Sequence, residues 1–234
     1  MRLVVADTSL LLPAVFSPRG RRRKLLVLFA YGALSGYERL GHEELDALHE
    51  IEARGGGGVQ AGGFDIEELI ARVADQRSRL ADQLPPMAPD DLCLLGASML
   101  FDEVERKAVV VGPRISRGLP TVAPELARRQ IEAASATVVR AFDIDDTPVH
   151  TPDRKDDYIV EMALRGAASA IVSDDRRHIA QTADVPTWYQ DARTGSVVAA
   201  YQLELFVKDQ VNSLHFDLDD VDPSLLGLAL RPVR

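Results

Sequence analysis

Ala170-Ile171-Val172-Ser173-Asp174-Asp175 is the stretch that decides how this chain folds. Its apolar residues run without alternation, as in a strand buried on both faces, and the two Asp that close the run mark its exit into water. The same pattern opens the chain, where Leu3-Val4-Val5-Ala6 ends in Asp7. Leu92-Cys93-Leu94-Leu95-Gly96 and Val197 to Tyr201 read as two more short buried strands. Between them lie segments with helical character: Leu25 to Ala33, Met99 to Lys107, Pro124 to Phe142, Arg154 to Arg165 and the short Leu203 to Val211. Strands alternating with helices predict an α/β fold with a mainly parallel central sheet flanked by helices. In such sheets ligands gather at the carboxyl ends of the strands, where Asp7 and Asp175 both fall.

One region departs from this alternation. From Leu34 to about Pro89 the chain turns polar, with charged helical stretches over Glu43 to Arg54 and Ile66 to Leu84, a glycine-rich link at 54–63 between them and Pro85-Pro86 after them. The expectation is a helical pair inserted at about 35–90 into a domain spanning 1–211. Residues 212–234 form an acidic and apolar extension. The stretch Asp209 to Asp222 carries Asp209, Asp217, Asp219, Asp220 and Asp222 and no Lys or Arg, which reads as a solvated acidic tail.

The 234 residues, 46% hydrophobic and 27% charged, exclude wholesale disorder and collagen-like repeats. Cys93 is the single cysteine, so no intramolecular disulfide forms, and a reducing, cytoplasmic location is expected. Leu25 to Leu34 is about half of the ~20 apolar residues a membrane helix needs, and Asp7 interrupts the N-terminal run before it could act as a signal peptide. The net charge of -9 argues at first against a nucleic-acid partner.

Asp7 and Asp175, joined by acids on the helices, suit a hard divalent cation, because Mg²⁺ and Mn²⁺ prefer carboxylate oxygens and water. Each residue taken alone has a plainer reading. Asp7 fits a helix cap, Asp153 with Asp156 three residues on fits a capping box, and Glu103 fits a solvated helix face.

The order and spacing of these acids resemble the PIN-domain nucleases, and among them the VapC-like toxins of bacteria. The matching pieces are Val4-Val5-Ala6-Asp7-Thr8-Ser9, then Ala97-Ser98-Met99-Leu100-Phe101-Asp102-Glu103, then Asp153-Arg154-Lys155-Asp156-Asp157-Tyr158, running on into Ala170 to Asp175. The resemblance covers residues 1 to 34 and about 91 to 211. It implies a divalent-metal-dependent endoribonuclease in which Asp7, Glu103, Asp156 and Asp175 hold Mg²⁺ or Mn²⁺, with Asp157 the alternative third acid and Glu44 the alternative second. Thr8 or Ser173 would add hydroxyls near the metal waters. The resemblance further implies an RNA substrate, an antitoxin protein as partner and a homodimer. Set aside these four ligands and the five Asp of the tail, and acidic and basic residues are equal in number, so the charge no longer counts against RNA.

Other readings compete. A catalytically silent module that keeps the fold to bind RNA or protein would carry the same strands. Phe142-Asp143-Ile144-Asp145-Asp146-Thr147 resembles the nucleophile motif of haloacid-dehalogenase-type phosphatases, but lacks its usual glycine and leaves too little chain after it. The glycine run has no following Lys-Ser or Lys-Thr, so a phosphate-binding loop is not expected. The five histidines show no zinc spacing, and Trp188 reads as a core residue. Arg21 to Lys24, Arg114 with Arg117, and Arg176-Arg177-His178 are the candidate RNA contacts, the last group favoured by its position just beyond Asp175.

Overall fold

The computed structural model of the protein describes residues 1–53, 66–116, 122–140, 142, 147–212 and 215–230. The glycine run, Arg117 and the 143–146 motif lie outside the described residues. Six strands form one sheet in the order β3-β2-β1-β4-β6-β5. They are β1 (Arg2–Ala6), β2 (Leu92–Ala97), β3 (Ser135–Val139), β4 (Ala170–Val172), β5 (Thr187–Gln190) and β6 (Val197–Tyr201). All neighbours are parallel except β5, which runs antiparallel to β6 at the edge. The helices that flank the sheet are α1 (Thr8–Phe16), α2 (Arg21–Ala53), α3 (Ile66–Ala81), α4 (Ser98–Ile115), α5 (Pro124–Ala133), α6 (Asp157–Arg165), α7 (Leu203–Phe206) and α8 (Leu226–Ala229). The fold is the α/β arrangement expected from the sequence.

The chain builds outward from β1 to β2 and β3, then returns to the other side of β1 to lay down β4. That reversal is a topological switch point, and it opens a crevice outside the carboxyl ends of β1 and β4. Val4 pairs in register with Ala170 and Ala6 with Val172. Asp7 therefore emerges beside the segment that carries Asp174 and Asp175.

Four expectations need correction. The first helix of the inserted pair is no separate element, because α2 continues without a break from the buried Leu25–Ala30 segment through Glu43. From Leu25 to Leu34 it is apolar on all sides and sits in the core, and the helix lies against β2 and β3. Beyond Tyr37 one face is exposed and α3 packs on the other, antiparallel, with Ile70 beside Gly41 and Arg77 bonded to Ser35 and Glu38. The change in polarity at Leu34 thus marks where a single helix leaves the sheet.

The second correction concerns the helix placed over 124–142. It stops at Ala133, and Ser135–Val139 forms β3 against β2. The β-branched Thr137, Val138 and Val139 favour the strand, and the alanines before them hide the change of period. Third, Trp188 lies on the edge strand β5, which the sequence reading missed, and is 64% exposed rather than in the core. Fourth, the acidic extension is packed, not detached. Phe216, Leu218, Val221, Leu225 and Leu226 are buried while the Asp residues between them face water, and α8 rests on α2 and α3. Asp217 and Asp222 each cap a short helical turn by accepting a backbone N–H.

No helix among the described residues is long and apolar enough to cross a membrane. Cys93 is fully buried in β2, and burial pushes its thiol up to about 11, which leaves it inert at neutral pH.

Gly32 and Gly36, one turn apart on α2, differ in what lies over them. A methyl group at Gly32 would overlap the carbonyl oxygen of Leu92, so the helix approaches β2 at a distance only glycine allows. At Gly36 the nearest atom is the Met1 sulfur at 3.5 Å, ordinary contact. Gly32→Ala is expected to cost about 1–3 kcal/mol of stability through overpacking, whereas Gly36→Ala should gain about 0.5–1 kcal/mol from helix propensity. Urea denaturation of the two variants checks the opposite signs.

Candidate functional site

Four carboxylates stand at or around the switch-point crevice. Asp7 leaves β1 as the cap residue of α1, and its own N–H donates to the carbonyl of Val172, which ties the ends of β1 and β4 together at 3.0 Å. Its side chain is 5% exposed and accepts hydrogen bonds from the hydroxyls of Ser9 at 2.5 Å and Ser173 at 2.9 Å. These two hydroxyls also hold the loop after β4: Ser9 accepts from the N–H of Asp174 at 3.1 Å, and Ser173 from the N–H of Asp175 at 2.9 Å. Ser173 thus bonds an acid directly, and Ser9 is a contributor the sequence reading did not name.

Asp175 uses Oδ1 to accept the backbone N–H groups of Arg177, at 2.8 Å, and His178, at 3.0 Å, while Oδ2 lies 3.1 Å from the His178 ring nitrogen Nδ1. Burial works against its charge, but these three donors outweigh it and hold the carboxyl below its usual range. Asp156 ends the turn Arg154–Asp156 at the start of α6, and its Oδ2 lies 3.1 Å from the same Nδ1. Burial first, then the negative charges of Asp7, Asp175 and Asp153, push Asp156 up to about 6. Glu103 projects from α4, where Oε1 pairs with Lys107 at 2.6 Å and Oε2 accepts the Tyr158 hydroxyl. Burial and the Glu103 charge raise the Tyr158 phenol well above its ordinary value, so it stays a neutral donor. Lys107 also donates to the Thr8 hydroxyl at 2.9 Å, which links α4 to the start of α1.

Glu103, Asp156 and Asp175 border a cleft of about 780 Å³, with Tyr158, Lys107 and His178. Asp7 lies beside it, coupled by charge to Asp156. The alternative acids fall elsewhere. Asp157 is fully buried under the preceding loop, where Oδ1 accepts from the N–H groups of His150 and Thr151 and the Thr151 hydroxyl. Glu44 borders an apolar groove between α2 and α3, about six turns and roughly 33 Å along α2 from Arg22, the residue that pairs with Asp174. Asp153 caps its own turn, as expected, but it accepts from Lys155 N–H and not from Asp156 N–H as a capping box would.

The basic run is used by the fold. Arg21 pairs with Glu204 and Asp219, Arg22 with Asp174, Arg23 binds the carbonyls of Val15 and Pro223, and Lys24 reaches Asp219. Arg114 is exposed near the end of α4, and Arg176 and Arg177 are exposed just past Asp175, outside the cleft border. The basic residues at the cleft are instead Arg106 and Lys107 of α4 on one side and Arg154 and Lys155 on the other. Nothing in the composition of these short segments sets them apart; the helix phase that brings Arg106 and Lys107 next to Glu103 was the available signal. For His178, the signal was its place three residues after Asp175.

The donor set fits a divalent cation. Carboxylate oxygens dominate it, Asp156 is held in mutual repulsion with its neighbours, and Asp153, Asp156 and His178 bring one ligand atom each within 4.8 Å of one another. Compared with protein-family models, curated proteins and solved structures, the chain matches none.

The raised Asp156 fixes a sign for stability. An acid whose native pKa exceeds its unfolded value of about 3.9 imposes no penalty below that pH and its full penalty above its native pKa, here about 6. Asp175, shifted the other way, loses its contribution only as pH falls below the usual carboxylate range. Metal-free Asp156→Asn should therefore match the parent near pH 4 and exceed it in urea midpoint at pH 7.5. A lower midpoint at pH 7.5 would contradict the repulsion.

Proposed function

We propose that this chain is a divalent-metal-dependent ribonuclease of PIN type, which hydrolyses RNA phosphodiester bonds at the cleft beside β1 and β4. The observation that carries this reading is the convergence of Glu103, Asp156 and Asp175 from three separate segments on one cleft, with Asp7 beside it and Asp156 raised to about 6 by burial and by its neighbours. An acid kept from ionising by burial and by like charges beside it suits a cation that relieves it. Asp7, Asp156 and Asp175 would hold Mg²⁺ or Mn²⁺, with Glu103 close by, and the bound ion would supply an activated water and neutralise charge on the phosphate. The order of the acids along the chain, which resembles that of PIN-domain nucleases, supports RNA as the substrate.

The protein's own groups divide the remaining work. Ser9 and Ser173 fix the Asp7 carboxylate and limit its rotation. Lys107 and Tyr158 hold Glu103, and because Lys107 lies on the cleft border its ammonium is available to a phosphate oxygen. Arg106 and Lys155, both exposed on the cleft border, would grip the phosphate backbone of the substrate.

Asp7→Asn and Asp175→Asn are expected to lower RNA cleavage in Mn²⁺ by on the order of a hundredfold or more, the scale of a lost electrostatic group in an active site. Cleavage persisting in either variant or in excess chelator overturns the reading. Arg106→Ala and Lys155→Ala should each weaken RNA binding without regard to sequence and reduce the slope of log affinity against log salt by about 0.7, one phosphate contact on a single strand. Binding titrations over a range of salt test this.

A further inference from the structure

The ring of His178 stands between two of the acids. Nδ1 lies 3.1 Å from Asp156 Oδ2 and 3.1 Å from Asp175 Oδ2. The main chain beneath it is anchored. The N–H of His178 donates to Asp175 Oδ1 at 3.0 Å, its carbonyl accepts the Tyr189 hydroxyl at 3.0 Å, and the next residue, Ile179, is fully buried. Nδ1 therefore stands at the spacing of neighbouring donor atoms from one oxygen of each acid.

We propose that His178 is a nitrogen ligand of the divalent cation and that it biases the site toward Mn²⁺ over Mg²⁺; the proposal rests on the metal-dependent reading given above. A cation at Nδ1 would be held by the lone pair of the neutral ring, whose single proton is then on Nε2. Mg²⁺ demands near-ideal octahedral oxygen coordination, so a nitrogen at this place costs it more than it costs a transition-metal ion. An all-carboxylate site would lack this discrimination. Asp153, whose ligand atom comes within 4.8 Å of those of Asp156 and His178, completes the oxygen donors on this side.

The test uses the full chain stripped by chelator. Mn²⁺ and Mg²⁺ affinities are measured by calorimetry, and the Mn²⁺ complex is examined by pulsed electron paramagnetic resonance for coupling to ¹⁴N. His178→Asn places an amide oxygen near the position of Nδ1, and His178→Ala removes the donor; the urea midpoint of each metal-free variant reports on folding. The wild-type protein is expected to show ¹⁴N coupling and to bind Mn²⁺ more tightly than Mg²⁺. In His178→Asn the coupling should vanish and Mn²⁺ affinity fall by on the order of tenfold, with Mg²⁺ affinity kept within about twofold. Absence of ¹⁴N coupling in the wild-type complex, or equal weakening of both metals in a folded variant, overturns the assignment of His178 while leaving the nuclease reading in place. If neither metal binds the wild-type chain, that reading falls as well.

Discussion

The parallel pairing of β1 with β4 is the constraint on which the rest of the molecule depends. Val4 to Ala6 lie beside Ala170 to Val172, and the N–H of Asp7 closes the ladder on the carbonyl of Val172. Parallel strands end at the same edge, so each delivers its first polar residue to the same place. The consequence is a carboxylate from the opening residues and another from more than 160 residues later, with Ser173 bonded both to the first carboxylate and to the backbone N–H of the second residue. Burying Asp7 there is tolerable because the hydroxyls of Thr8, Ser9 and Ser173 donate to it. The two serine hydroxyls also brace the exit of β4, so groups that fix the charge also fix the loop carrying its partner.

Around this pair the protein balances its own charges. Lys107 lies against Glu103, and the His178 ring lies between Asp156 and Asp175, so each part of the acidic cluster has a positive or hydrogen-bonding group close by. Asp156 is the least relieved of them, as its upward shift records. Another carboxylate on α6, Glu161, shows the contrast. It is fully buried but satisfied by His150 at 3.1 Å and Arg165 at 2.6 Å, and it serves the packing of the helix. Burial alone does not distinguish the acids of the cleft from a structural one; the difference lies in whether the acid faces a cleft with like charges.

The negative charge of the chain divides along the same lines. Asp219 and Asp222 belong to a segment whose apolar residues are buried against the body, and Asp219 pairs with Arg21 and Lys24. A basic run that looks free in sequence is thereby committed to holding the C-terminal segment and, through Arg22 and Asp174, the β4 exit. The basic residues at the cleft come from ordinary helical and turn positions instead.

Local sequence determined the buried strands β1, β2, β4 and β6, the helices α4 and α6, and the acids at the strand ends, because unbroken apolar runs ending in Asp have few other outcomes in water. It also marked Asp153 as a cap. It left β3 and β5 unseen, since Ala-rich and half-exposed stretches have no distinct period, and it cut α2 in two, since a helix that leaves the core changes composition without changing conformation. Only the tertiary structure separates the acids by place. Glu103 rather than Glu44, and Asp156 rather than Asp157, border the cleft, and the reason is geometric: neighbouring residues on a helix point in different directions, and a residue six turns along a helix is far from its start however alike the two segments read. The placement of His178 between two carboxylates belongs to the same class of fact, set by where a loop is anchored and not by which residues compose it.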